Sequence, residues 1–142
     1  MSAGTRVRGN DRGSAAVEVV LVTPLLMIVL LVVVGLGRLV DVRLSVVDAA
    51  HQAARAASLA RTEATAHADA RRATQSALGT VNGACAKPHV TLTTDALTPG
   101  ASTSARVVCT VAMADLVFAG FPGAIAVQAS ADSPIDVFRS AP

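Results

Sequence analysis

The chain has no tryptophan and no tyrosine, and only three phenylalanines, Phe118, Phe121 and Phe138, in 142 residues. Aromatic side chains usually dominate the energetics of cores and ligand pockets. An interior built from Ala, Val and Leu therefore argues against a deep binding pocket and a small-molecule substrate. Charge is also scarce, at 15% of residues with a formal net charge of +2. The basic residues are scattered and no aromatics interleave with them, so a nucleic-acid surface has no support. Cysteine occurs twice, as Cys85 and Cys109, with neither a C-x-x-C spacing nor a matching histidine pattern. Zinc normally needs four ligands at compact spacing. His89 lies near Cys85, but His51 and His67 fall in a helical region, so no metal site is expected. A structural disulfide in an oxidising compartment is the favoured reading of the two thiols. Closing that loop stabilises the chain by about 3 kcal/mol on the chain-entropy estimate.

Catalytic signatures are missing as well. No serine has a Gly-x-Ser-x-Gly setting, and the three histidines are far apart. Catalysis needs convergent polar groups in a pocket. The expectation is a protein that is not an enzyme, with no catalytic residue and no cofactor.

What the sequence does have is one long apolar run. Val19 to Gly37 carries no charge. Nineteen residues at about 1.5 Å each give roughly 28 Å, close to the hydrocarbon thickness of a bilayer. Pro24 falls one turn inside the run, where a membrane helix tolerates it if neighbours re-satisfy the freed carbonyl. Arg6, Arg8 and Arg12 precede the run, offset by Asp11; Arg38 and Arg43 follow it, offset by Asp41 and Asp48. Counting Lys and Arg alone leans towards a cytoplasmic N-terminus, and the cysteine pair leans the same way. Two rivals remain open. Gly35-Leu36-Gly37 could pass for a signal-peptide cleavage site, although the run exceeds the usual h-region and Arg38 would become the new N-terminus. An ordinary signal anchor is the other. Neither accounts for Glu18.

Glu18 stands at the threshold of the apolar run. An acid in the first turn of a helix is favoured by the macrodipole by roughly 0.3–1 kcal/mol, but Ser14 to Glu18 is one residue too long for a capping box. A carboxylate in lipid costs about 2.5–3.5 kcal/mol at the bilayer centre and less near the edge, so a partner is expected. Cleavage after Gly13 would free an α-amine on Ser14, one helical turn from Glu18 on the same face. The amine of a second subunit could pair with this carboxylate and hold two helices in register.

These residues carry a family resemblance. "GSAAVE", Gly13 to Glu18, followed by a long apolar helix resembles the class III prepilin site, where a peptidase cuts after Gly and requires Glu five residues on. Pro24-Leu25-Leu26, Gly37-Arg38 and "AAHQAARAA" from Ala49 to Ala57, with Arg55 at the family's arginine, look like the TadE-like minor pseudopilins of the tight-adherence (Tad/Flp-type, type IV) pilus. Two positions depart from that pattern. Gly35 stands where the family often has an acid, and His51-Gln52 stands where it has Arg-Glu. The resemblance implies that Gly13, Ser14 and Glu18 form the processing and assembly site. It also implies a cytoplasmic leader, an extracytoplasmic body, and as partners the bilayer, a prepilin peptidase, other pilins or pseudopilins and the assembly platform. Its role would be structural, in pilus biogenesis, adhesion or secretion. The alternative is an unprocessed, single-pass, membrane-anchored binding module with an extracytoplasmic domain.

Beyond the apolar run the three- and four-residue spacing of Leu39, Val42, Val46, Ala49, Ala53, Ala57, Ala60, Ala64 and Ala68 predicts one helical face running unbroken to Gly79. Such a face reads equally as a solvated stalk or as a packing surface. Gly79 and Asn82-Gly83 mark the helix end and a turn. After Cys85 the period changes to two. Val90 and Leu92, then Val107, Cys109, Val111 and Met113, then Ile125, Val127, Ala129 and Ala131 predict three strands with one apolar face each. "TPGAS" from Thr98 is the first connection, and Cys85 ties the helix exit to the second strand. The second connection, "ADLVFAGFPG", is unusually apolar. Leu116, Val117, Phe118 and Phe121 either cover the sheet or form a patch for a partner. The tail carrying Ile135, Val137 and Phe138 is expected as a short edge strand.

The expected fold class is thus α+β: one long N-terminal helix, its transmembrane half continuing into an Ala-rich extracytoplasmic stalk, followed by a small antiparallel three-stranded sheet packed on it. The expected segments are a basic leader at 1–13, a transmembrane helix at 14–37, an Ala-rich helix at 38–79 and a disulfide-tied β region at 80–142.

Overall fold

A computed structural model describes residues 11–79, 85, 87–94, 97–112 and 123–138, with side chains from Ala16 onward. The architecture is α+β. Helix α1 spans Asp11–Leu59, helix α2 spans Glu63–Leu78, and strands β1 (His89–Thr94), β2 (Ser102–Ala112) and β3 (Ala124–Pro134) follow.

α1 is 49 residues long, roughly 74 Å at 1.5 Å per residue. Its N-terminal half is rich in Leu, a strong helix former, and in Val, which is a weaker one in water. In hydrocarbon a single segment has no other way to satisfy its own backbone. The helix runs through Pro24 without a break. Beside it the Thr23 hydroxyl donates to the Val19 carbonyl at 2.6 Å, and higher up Ser45 does the same to Asp41 at 3.0 Å.

The unbroken helix expected from Leu39 to Gly79 is not what forms. α1 ends at Leu59, and the chain turns at residues 60–62. Thr62 takes an extended conformation (φ −128°, ψ 153°) and acts as the N-cap of α2. Its hydroxyl accepts from the Thr65 N–H at 3.2 Å, and the Thr65 hydroxyl accepts from the Thr62 N–H at 3.2 Å. This reciprocal pair satisfies two of the donors orphaned at a helix start. The reversal also buries a new face. Ala66, Ala70, Thr74 and Leu78 of α2 pack inward, whereas Ala64 and Ala68, which a continuous helix would have kept in line with Ala60, are exposed. α2 ends where expected, with the Gly79 N–H donating to the Gln75 carbonyl at 2.9 Å.

The Ala-rich part of α1 is a packing face, not a stalk. Val42, Val46, Ala49, Ala50, Ala53, Ala54 and Ala57 form one core with Ala66 and Ala70 of α2 and with Ala105, Val107, Cys109, Val111, Val127 and Ala131 of the sheet. Alanine contributes little area per residue, but it lets α2 and the sheet come close to the α1 backbone on two sides.

The sheet is an antiparallel meander in the order β1-β2-β3. Val90 lies opposite Val107, and Cys109 lies opposite Val127. Inward and outward residues alternate along β2 from Thr103 to Ala112. β2 starts four residues before the point at which its apolar alternation becomes legible, and brings Thr103 into the interior. The connection from β1 contains Gly100 at φ 84°, the value required at the third position of a type II turn with Pro99 before it. This turn grips the end of β3. Gly100 donates to the Ile135 carbonyl at 3.2 Å, and Ile135 donates to the Ala101 carbonyl at 2.8 Å. The tail does not add the short edge strand expected of it. β3 runs to Pro134, Ile135 is buried against the turn, and Val137 and Phe138 stand exposed.

Candidate membrane and assembly site

The candidate processing residues sit at the start of α1. Gly13 and Ser14 have helical backbone within its first turn. Amides there lack intrahelical acceptors, so this turn opens at little cost. Glu18 follows four residues after Ser14, about 6 Å further along the axis. Its side chain is exposed, and among the described residues it has no ion-pair partner.

From Val19 onward the apolar run faces outward all round. Val20, Leu21, Leu25, Leu26, Met27 and most of their neighbours up to Leu36 are exposed; Val32 is half-buried, and only Gly35 is buried between Ala16 and Gly37. A soluble core helix of this composition would be covered by the rest of the chain. Here a helix long and apolar enough to cross a membrane is left uncovered, which suggests a membrane anchor. The helix then passes without interruption into the packed core at Val42.

Cys85 and Cys109 are joined, with their Cα atoms 5.5 Å apart. Cys85 also bridges to Val111 at the end of β2. The bond therefore ties the exit of α2 to the second strand, as the sequence suggested. The candidate partner patch, Leu116, Val117, Phe118 and Phe121, lies outside the described residues, as does the turn at Asn82-Gly83.

The histidines are dispersed. His51 is exposed on α1, His67 lies 4.0 Å from Glu63 on the surface of α2, and His89 opens β1. Among the described residues no cluster of His, Cys, Asp and Glu could hold a metal. An open cleft of about 360 Å³ separates α2 from β1, lined by Arg71, Thr74, Gln75, Pro88, His89 and Val90. The Thr74 hydroxyl donates to the Ala70 carbonyl at 2.9 Å.

Residues 13–55 match the family of TadE-like proteins. The TadE-like segment begins at Gly13, includes Glu18 and the apolar run, and ends at Arg55 in the Ala-rich part of α1. The match covers less than a third of the chain. The turn at Thr62, helix α2 and the whole sheet lie beyond it. No curated protein and no solved structure matches the chain. Within the TadE-like segment, Gln52 donates to the Asp48 carboxylate at 2.7 Å. Where the family pattern has an Arg-Glu pair, this chain thus spends one of the two positions on a bond within its own helix.

Sequence reasoning did not find the helix reversal or the buried Thr103. Thr62-Glu63-Ala64-Thr65 was the available signal for the first, but Thr at the fourth position is a weaker capping signature than Glu or Gln. The second has no local signal, since a threonine at a strand start is ordinary on either face.

Proposed function

We propose that this protein is a minor pseudopilin of the Tad-type pilus, acting as a structural and not a catalytic component of its biogenesis. The observation that carries this reading is the helical segment bearing Gly13, Ser14 and Glu18 at the head of an uncovered, charge-free run, Val19 to Gly37, inside a TadE-like match. A prepilin peptidase cuts after Gly13. The new α-amine of Ser14 then neutralises the Glu18 carboxylate of a neighbouring subunit near the lipid boundary. The short range and low dielectric there make that pair selective for one stagger of the two helices.

The orientation follows from two further features. Arg6, Arg8 and Arg12 favour a cytoplasmic leader, and a formed Cys85–Cys109 bond favours an oxidising compartment for the body. Other pilins, pseudopilins and the assembly platform are the partners of the assembled form. Leu116, Val117, Phe118 and Phe121 are the residues proposed to meet one of them.

The mass of the purified membrane form tests the reading. A chain beginning at Ser14 supports it. One beginning near Met1 points to the unprocessed, membrane-anchored binding module, and one beginning at Arg38 to a secreted protein.

A further inference from the structure

We propose that the membrane-proximal end of the folded head rests in the phospholipid headgroup layer of the bilayer that α1 crosses, with Val40, Arg43, Ala112 and Ala124 at the contact. The inference rests on α1 spanning a membrane and goes beyond any role in assembly.

The vertical position of the head follows from α1. The charge-free run ends at Gly37, and Val42, five positions on, is already 1% exposed in the core. Leu39 is partly buried against the same core. Five residues of helix rise about 7.5 Å. The polar layer on each side of a bilayer is roughly 5–7.5 Å thick, from a total of about 40–45 Å and a hydrocarbon core of about 30 Å. No stalk separates the head from the lipid, so the packing that covers Val42 must itself lie at the headgroups.

Two independent routes identify which part of the head that is. The first is the helical hairpin. α2 folds back along α1 from the turn at 60–62, and its 16 residues descend about 24 Å, which returns Leu78 to the level of about Leu44. Cys85 follows shortly and bridges both to Cys109 and to Val111. The second is the sheet. The Ser133 hydroxyl donates to that of Ser58 at 3.1 Å, so the end of β3 lies by the far end of α1. Register then puts Ser102 and Pro134 at the far end, and Ala112 and Ala124 together at the near end.

The chemistry of the near end suits a lipid surface. Val40 and Leu44 are 55% and 63% exposed on α1, continuing the apolar side of the membrane run beyond Gly37. Arg43 is exposed between them, and Lys87 lies two residues after Cys85. Apolar side chains beside a long cationic one fit the boundary between acyl chains and phosphates, where Arg and Lys extend their charge outward. The opposite end carries the exposed Phe138 and the Gly100 turn, away from the bilayer.

Because the chain has no tryptophan, a single introduced indole reports its own position. Full-length protein carrying Val40→Trp, Ala112→Trp, Ala124→Trp, Phe138→Trp or Leu30→Trp would be reconstituted in phosphatidylcholine vesicles. The vesicles would contain either a nitroxide on the choline headgroup or one midway along the acyl chain. An intact Cys85–Cys109 bond checks folding of each variant. The expected result is headgroup quenching at positions 40, 112 and 124 at least threefold stronger than at 138, with acyl-chain quenching at 30. Equal headgroup quenching at 112, 124 and 138, with Leu30→Trp still quenched from the acyl chain, overturns the inference alone. Loss of acyl-chain quenching at Leu30→Trp removes the membrane-spanning reading, and the inference with it.

Discussion

Thr103 lies in the interior with 0% exposure, and among the described residues its hydroxyl oxygen has no hydrogen-bond partner. Its neighbours across the strands are Thr94 and Ser133. Ser133 is engaged elsewhere, donating to Ser58, whose hydroxyl in turn donates to the Arg55 carbonyl at 2.9 Å. A buried hydroxyl without a partner costs about 1–3 kcal/mol relative to its hydrated state. Valine has nearly the same shape and the same β-branch, so Thr103→Val removes the penalty without opening a cavity or changing strand preference. The expected gain is about 1 kcal/mol or more. On a packed region of roughly 100 residues, that raises the melting temperature by about 4–8 °C. Thr103→Ser should move the other way, because it keeps the orphan oxygen and deletes a buried methyl. Far-UV circular dichroism of the full chain in detergent micelles, during heating and in urea, measures both. A Thr103→Val melting temperature at or below that of the parent would refute the reasoning, because it would mean that the hydroxyl finds a bond in solution.

Two other perturbations bear on the anchor and the head. Glu18→Ala should leave membrane insertion intact, since it removes an exposed acid from the edge of the apolar run, while reducing pilus output; unchanged output would remove the role assigned to the carboxylate. Cys85→Ser with Cys109→Ser should lower stability by about 3.5 kcal/mol, from the entropy of a loop closed across a separation of 24 residues. Oxidised parent protein should yield no alkylatable thiol on a non-reducing gel, and two free thiols in the exported protein would contradict the bond.

Much of this protein is legible along the chain, for reasons that are local. The apolar run is a property of consecutive residues, and the bilayer imposes a length that can be counted. The strands at Val90, Val107 and Ile125 announce themselves by alternation, because one face of a sheet on a helix must be apolar. The Pro99-Gly100 turn is visible because only glycine takes a φ of 84° without strain. Ser14 and Glu18 share a helix face because they are four residues apart; the processing role of Gly13, Ser14 and Glu18 comes from the resemblance and is a proposal.

The fate of the Ala-rich segment was decided elsewhere. Alanine favours helix whether it is solvated or packed, so the run from Leu39 to Leu78 supports one straight stalk or two antiparallel helices equally well. The reversal at Thr62 exchanges three residues of helix for the burial of a second alanine face and of the sheet, and that gain exists only when all three layers are assembled. The same long-range packing puts Thr103 in the interior and closes Cys85 on Cys109. It also brings the core down to within a few residues of Gly37. Local pattern determined that there is a long apolar helix and a meander; the contacts between the elements determined that the Ala-rich segment folds back and packs as a core and does not stand as a stalk.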